Sequence, residues 1–451
     1  MFKPFEHQLS GADFLARNDR ALLADQPRVG KTGTTIIAMD MNLEQRVLIV
    51  TTASGRAVWK KAFSDWSRFN RNVHVIENSK QVIPWNYGVV IVSWGALTTS
   101  AVMASLISKK WDRLVLDESH FAKSVEAKRT RAVYGDFRLD GHIVDDSASL
   151  LRAADGKVWC LTGTPLPNSP ADLYPMLRCL RPEAMKASGD LPDVTKYGAF
   201  LHRYCVVKMK KISNFRKIPV VIGGRNLEEL KGRMAGLMLR RTQQDVGIRP
   251  PFYDIMPLMV SANIRKLANG DLDKKAIIAA AEAGNTRELE LQLGPLRRLT
   301  GELKADAVAG AVAEELDNGL DKIVLAYWHI DVGASIGAAL ADYGVVGING
   351  STPDKVRSGA VEEFSKPDGP RVFLAQIQAA GEAIDLSASA TLWFVETSLA
   401  PKDMKQMSLR ITNHTQTRQA LVRVCVLEGS IDEALQSIIL RKMDAIREVQ
   451  D

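Results

Sequence analysis

Cysteine is scarce in this chain. The four present, Cys160, Cys179, Cys205 and Cys425, are scattered without a Cys-x-x-Cys pair, so neither a zinc site nor a disulfide framework is suggested and reduced, buried thiols are expected. Long apolar runs are missing too: none is long enough to span a bilayer, and Met1 to Leu15 lacks the basic-then-apolar build of a signal peptide. A protein kept inside the cell, cytoplasmic or associated with the nucleoid and without a membrane partner, is the expectation. An acidic excess is also absent. With 59 Lys and Arg against 52 Asp and Glu the formal charge is +7, which favours an anionic polymer as partner without requiring one.

What is present is an ordinary globular composition, 46% hydrophobic and 25% charged over 451 residues, enough for two or three domains that each bury a core. Within it the stretch Leu22 to Thr35, LLADQPRVGKTGTT, stands out. A short apolar run breaks at Asp25, and a turn leads to Gly30, Lys31 and Thr32 at a helix start, the layout of a phosphate-binding loop. Backbone N–H groups of such a turn converge on the β- and γ-phosphates, Lys31 adds positive charge, and Thr32 offers a hydroxyl to Mg²⁺.

A second feature supports that reading. Arg113 to Asp117, RLVLD, has the composition of a buried parallel strand and ends on Asp117-Glu118-Ser119-His120. A carboxylate pair at a strand's C-terminal end faces the phosphate loop in a doubly wound sheet, so Asp117 can hold Mg²⁺ through water while Glu118 orients the attacking water. ATP and Mg²⁺ are the expected cofactors.

Other stretches fall around these two. Phe5 and Gln8 precede the loop, and an amide side chain can bond an adenine edge while an aromatic packs on it. Strands are expected at Arg46–Thr52 and Gly88–Trp94, the first followed by TASGRAVWKKAFSDW, a loop-to-helix junction where Ser54 can meet a nucleic-acid phosphate and Trp59 reads as helix packing. The strand Val158–Leu161 ends in Thr162-Gly163-Thr164-Pro165, whose hydroxyls are expected near Asp117 and His120. Residues 167–237 and 253–300 carry helical patterns. From Lys322 strand and helix alternate again, with strands at Lys322–Tyr327, Val345–Ile348, Val372–Ala375, Thr391–Val395 and Leu421–Leu427. Gly350, Ser351 and Thr352 follow one of these strands and open a helix, so their amides and hydroxyls can hold a DNA phosphate.

The order of these pieces resembles the superfamily 2 helicase-like ATPases and, within them, the Snf2 family of double-stranded DNA translocases. The resemblance rests on the Gln8 segment, DQPRVGKT, TASGRAVW, DESHFAKS, LTGTPLPNSPADLY and LMLRRTQQDV, then on KIVLAYWH, INGSTPDKVR, AAGEAIDLSASA and KQMSLRITNHTQT, from Phe5 to about Leu440. DESHFAKS, FLHRYCVVK, GGRNLEELKGRMAGLMLRRT and LTGELKADAVAGAV look most like the annealing-helicase branch, whose members remodel forked DNA. The resemblance implies an α/β fold of two tandem RecA-like domains, parallel sheets flanked by helices with helical insertions, the nucleotide lying between them. The first lobe is expected over 1–244 with its insertion at 167–237, the second over 245–451 with its protrusion at 253–300.

It also implies the site. Gln8, Asp25, Val29, Gly30, Lys31, Thr32, Gly33 and Asp385 bind the nucleotide; Thr32 and Asp117 hold the metal; Lys31, Asp117, Glu118, Gln406 and Arg410 carry the chemistry, Arg410 supplying charge to the γ-phosphate in the transition state. Ser54, Lys123, Gly350, Ser351 and Thr352 grip DNA. Three positions depart from the family pattern: Asn413 stands in place of the second arginine, Ala383 of a glycine, and Arg28 of a glycine in the phosphate loop. An asparagine carries no charge, so slower hydrolysis is expected.

The function expected is ATP hydrolysis coupled to translocation on double-stranded or branched DNA, by a monomeric motor without accessory modules that a recruiting protein targets. The alternatives are a strand-separating helicase, the motor subunit of a restriction-like complex, or a DNA-binding protein with largely lost turnover.

Overall fold

The computed structural model describes residues 2–433 apart from 79–80, 82, 138–142, 164–168, 214–215, 260–285, 381–383, 399, 415, 429 and 431. The chain forms two compact units, Met1–Thr242 and Gln243–Asp451. No described helix is long and apolar enough to cross a membrane.

The strands of the first unit are β1 (Arg20–Leu23), β2 (Val47–Thr51), β3 (Val73–Val75), β4 (Val89–Ser93), β5 (Arg113–Asp117), β6 (Asp136–Phe137), β7 (Ile143–Asp145), β8 (Val158–Leu161), β9 (Cys205–Ser213), β10 (Arg216–Gly224) and β11 (Met238–Leu239). Seven of them make one sheet in the order β11-β1-β8-β5-β2-β4-β3, every pair parallel. Parallel strands need helical crossovers, which cover both faces, so the strands must be apolar on both. They are: Leu48 and Val50 of β2 join Leu114 and Leu116 of β5 in one core cluster, while Val47, Ile49 and Val115 join Ile36 and Trp59 in the other.

The second unit repeats the plan. Its strands are β12 (Phe252–Leu258), β13 (Ile323–Tyr327), β14 (Val345–Ile348), β15 (Val372–Gln376), β16 (Thr391–Phe394) and β17 (Leu421–Leu427). They pair in parallel in the order β12-β17-β16-β13-β15-β14. Val324 and Ala326 face one core cluster, Ile323 and Leu325 the other. The expected pair of α/β domains with parallel sheets is what the molecule has.

Three expectations change in detail. The insertion at 167–237 does contain the helices Tyr174–Leu180, Tyr197–Tyr204 and Leu227–Arg233, but between them β9 and β10 form an antiparallel hairpin. Val206, Val207, Val220, Val221 and Ile222 are β-branched, which favours strand over helix. The protrusion expected from 253 begins instead with β12, whose proline, Pro257, is tolerated because the strand lies at the sheet edge. Its middle lies outside the described residues, and a helix spans Thr286–Asp317. The division between units falls after Thr242 rather than after residue 244.

Candidate nucleotide site

In the first unit the C-terminal ends of β1, β8 and β5 lie side by side, so the phosphate loop and the acidic pair sit one strand apart. Ligand-binding crevices form at such edges, where loops leave adjacent strands. After β1 the chain turns through Arg28, φ 73°, and Gly30, φ 102°, before the helix Lys31–Met41. Glycine tolerates the left-handed region; an arginine there carries backbone strain of about 1 kcal/mol or more. Lys31 Nζ donates to the carbonyls of Asp25, 2.7 Å, and Gln26, 3.2 Å. The ammonium is thereby held over the loop, and Thr32 lies in the first turn of the helix.

Gln8, 2% exposed, sits against this loop. Its Oε1 accepts from the Phe5 N–H at 3.0 Å and its Nε2 donates to the Gly30 carbonyl at 3.4 Å. A Cβ at Gly30 would come within 2.5 Å of Gln8 Nε2, so only glycine admits this approach. His7 Nε2 and the Val29 carbonyl are 2.9 Å apart, and Phe5, half exposed, stacks on His7.

Two residues expected to bind nucleotide have other work. The Asp25 carboxylate, fully buried, takes Nε and Nη2 of Arg241 at 3.1 and 2.5 Å. Only its carbonyl, bonded to Lys31, serves the phosphate loop. Gly33 packs under Trp66, whose ring a Cβ would meet at 2.8 Å. Its glycine is a packing requirement.

The acidic pair is more elaborately held. Asp117 Oδ2 accepts from Thr51 Oγ1 at 2.7 Å and from Trp59 Nε1 at 2.8 Å, and Trp94 Nε1 donates to its carbonyl at 2.8 Å. Burial, then the neighbouring Glu118 charge, pushes the Asp117 pKa above the usual carboxylate value, against the opposing pull of Trp59, Thr51 and Lys31. A hard cation near it would offset that cost. The hydroxyl of Thr32 and this carboxylate are the hard-oxygen donors Mg²⁺ prefers, few in number because the ion keeps several waters; they fit the metal.

Glu118 adopts left-handed φ 51°. Its carboxylate lies 3.2 Å from His120 Nδ1, and the same nitrogen lies 3.1 Å from Thr162 Oγ1 at the end of β8. The strand-end hydroxyl thus reaches His120 as expected; Thr164 and Pro165 lie outside the described residues. The sequence carries no signal for the roles of Thr51 and Arg241, and it presents Trp59 as helix packing. A Cβ at Gly55 would collide with Thr51 Oγ1, so that glycine also protects the Asp117 contact.

Of the residues expected to grip DNA, Ser54 is 9% exposed and its hydroxyl lies 3.2 Å from Thr52 Oγ1. Lys123 Nζ is 3.8 Å from Asp172 Oδ2, a loose and partly exposed pair. In the second unit the amides of Gly350, Ser351 and Thr352 are bonded to Gln376 Oε1, Asn349 Oδ1 and the Asn349 carbonyl at 2.7, 3.0 and 3.1 Å. Those N–H groups are engaged within the loop; Gly350 and Ser351 are exposed.

Gln406 is half-buried on the helix Pro401–Ser408, and Arg410, 6% exposed, follows in a short 3₁₀ turn. The Arg410 carbonyl accepts from Leu386 N at 3.0 Å, which joins it to the Asp385 loop. Asp385 Oδ1 accepts from the Ser387 amide and hydroxyl at 3.0 and 2.6 Å, and Asn413 Nδ2 donates to Ser387 Oγ. The asparagine that replaces an arginine is therefore tied to the Asp385 loop. Ala383 lies outside the described residues. Gln243 Nε2 bonds Thr412 Oγ1 at 2.9 Å, anchoring the start of the second unit to the same segment.

A profile of the SNF2-related domain matches residues 7–293, more than half of the chain. The chain belongs to the SNF2-related domain family. It is 26% identical over 457 residues to the Caenorhabditis elegans SWI/SNF-related matrix-associated actin-dependent regulator of chromatin subfamily A-like protein 1 homolog, covering 99% of this chain and 61% of that protein. It is 24% and 25% identical to the bovine and human DNA annealing helicase and endonuclease ZRANB3, covering 96% and 95% of this chain but 39% and 38% of theirs. This SNF2-related chain thus spans less than two thirds of the length of these curated relatives. Among solved structures it is similar to the Sulfolobus solfataricus SWI2/SNF2 ATPase core in complex with dsDNA, with TM-score 0.45, 18% identity and coverage of 99% and 93%.

Proposed function

We propose that this SNF2-related chain is an ATP-driven motor that translocates on double-stranded DNA and remodels or reanneals forked and branched DNA. The observation that carries the reading is the convergence, at one sheet edge, of Lys31 on its loop and of Asp117 and Glu118 one strand away. Relatives named as annealing helicases support the choice of DNA as substrate.

The division of labour follows from chemistry. Lys31 and the loop amides neutralise phosphate charge, Thr32 and Asp117 hold Mg²⁺, and Glu118 orients water with His120 fixing its carboxylate. The metal, when bound, draws charge from the β- and γ-oxygens. Gln8 reads the base and Phe5 offers a ring beside it. Arg410, with Gln406 nearby in sequence, supplies positive charge as the γ-phosphate leaves, and Asp385 meets a ribose hydroxyl. Lys123, Ser351 and Thr352 are the remaining candidates for DNA phosphates; Ser54 supports its loop from beneath. The motor acts as a monomer and is brought to its substrate by another protein.

Phosphate release measured with duplex, single-stranded, forked and RNA ligands tests the reading. Stimulation by duplex and forks without strand displacement is expected. Displacement from a tailed duplex would replace it with a helicase, and DNA binding without turnover, as Asn413 could bring about, would replace it with a binding protein.

A further inference from the structure

The β9–β10 hairpin plays no part in the nucleotide site, yet its composition is unlike the rest of the chain. Between Cys205 and Gly224 lie Lys208, Lys210, Lys211, Arg216 and Lys217, with no Asp or Glu. The whole chain carries only +7, and these five cations lie within twenty residues with no acid among them.

Its backbone setting adds two observations. Successive residues of a strand face opposite sides, and Val206, Val207, Lys208 and Met209 are all exposed. Neither face of that part of β9 is therefore covered by the described chain. In addition the ladder makes Lys211 and Lys217 cross-strand partners. The register thus places two cationic residue types at one level of the ladder, close to its turn. Exposed Val206, on the same face as Lys208, gives that surface an apolar element that can lie against sugar or groove edges, and exposed Val207 and Met209 do the same on the opposite face.

We infer that the hairpin is a duplex DNA contact of the first unit, an electrostatic grip on the phosphate backbone separate from the motor's motif loops. The inference rests on the DNA-motor reading above and adds to it the place where the backbone is held. Its contribution is independent of base sequence and weakens with salt, because each lysine–phosphate contact releases condensed counterions.

The test compares the full-length wild type with a Lys208→Gln/Lys210→Gln/Lys211→Gln/Lys217→Gln variant and with Lys208→Glu alone, by anisotropy of a labelled blunt duplex across a salt series. Each lost contact reduces the slope of log K against log salt by roughly 1. The quadruple variant is expected to lose about 2–4 of that slope and at least roughly tenfold in affinity, Lys208→Glu a smaller part, with melting temperature and DNA-free ATP hydrolysis unchanged. Equal slopes for wild type and both variants would overturn the inference while leaving a DNA-stimulated motor in place. A wild type with neither duplex affinity nor DNA stimulation would remove the motor reading itself. Retention of the hairpin's effect on polyglutamate but not on duplex would assign the surface to an acidic protein instead.

Discussion

The two units share a fold but spend their polar groups differently. At the sheet edge of the first, Lys31, Asp117, Glu118 and His120 converge, and the backbone is forced into left-handed conformation at Arg28 and Glu118 to bring this about. In the second, the loop groups satisfy one another: Asn349 and Gln376 take the amides of 350–352, Ser387 joins Asp385 to Asn413, and Glu396 takes the amides of Trp328 and His329 together with the His329 ring. All non-glycine residues with positive φ among the described residues lie in the first unit. On the proposed function, backbone strain gathers in the unit assigned the chemistry, and the self-satisfied loops lie in the unit assigned to presenting and holding.

That contrast orders the expected effects of mutation. Lys31→Ala or Glu118→Gln should cut DNA-stimulated phosphate release on the order of 10²–10³-fold with the fold intact; wild-type turnover in either would move the chemistry out of the first unit. Next comes Arg241→Ala, which strands the buried Asp25 carboxylate. Removing one partner of a buried pair costs about 3–5 kcal/mol, read as a lower denaturation midpoint for the first unit, and an unchanged midpoint would show that the pair does not hold the loop.

Trp59→Phe removes one hydrogen bond to Asp117, about 1.5–3 kcal/mol for a charged acceptor and so roughly ten- to a hundredfold in kcat at most. It also has a signature that lost packing alone would not give. Trp59 pulls the Asp117 pKa down, so its loss raises that pKa further, and the acidic limb of the pH–rate profile should move to higher pH. A profile that falls in height without moving would reduce Trp59 to a packing residue. The smallest effect is expected from the second unit: Asn413→Arg should raise turnover a few-fold, about 1 kcal/mol. No change would mean that the position serves Ser387 and Asp385 only.

Much of this was legible in the sequence because it is local. GKT, RLVLD followed by Glu118, and the alternation after Lys322 each announce themselves within a dozen residues, and the strands Arg113–Asp117, Val158–Leu161, Val345–Ile348 and Leu421–Leu427 were placed to the residue. What was missed depends on distance along the chain. Arg241 is 216 residues from Asp25, Trp59 is 58 from Asp117, and β12 finds its partner β17 only across the whole second unit. A tryptophan on a helix reads as packing until its N–H is seen to have a carboxylate for a neighbour. The loop at 350–352 shows another limit: its residue types suit a phosphate, and the sequence does not show that Asn349 and Gln376 bond its amides.

Gly55 lies outside the phosphate loop, yet the space it leaves is what lets the Thr51 hydroxyl stand beside Asp117. One added methyl group would turn that hydroxyl away while leaving every residue of the phosphate loop in place. On the proposed function, Gly55→Ala is expected to keep nucleotide affinity while lowering phosphate release, an instrument for holding such a machine at the start of its stroke.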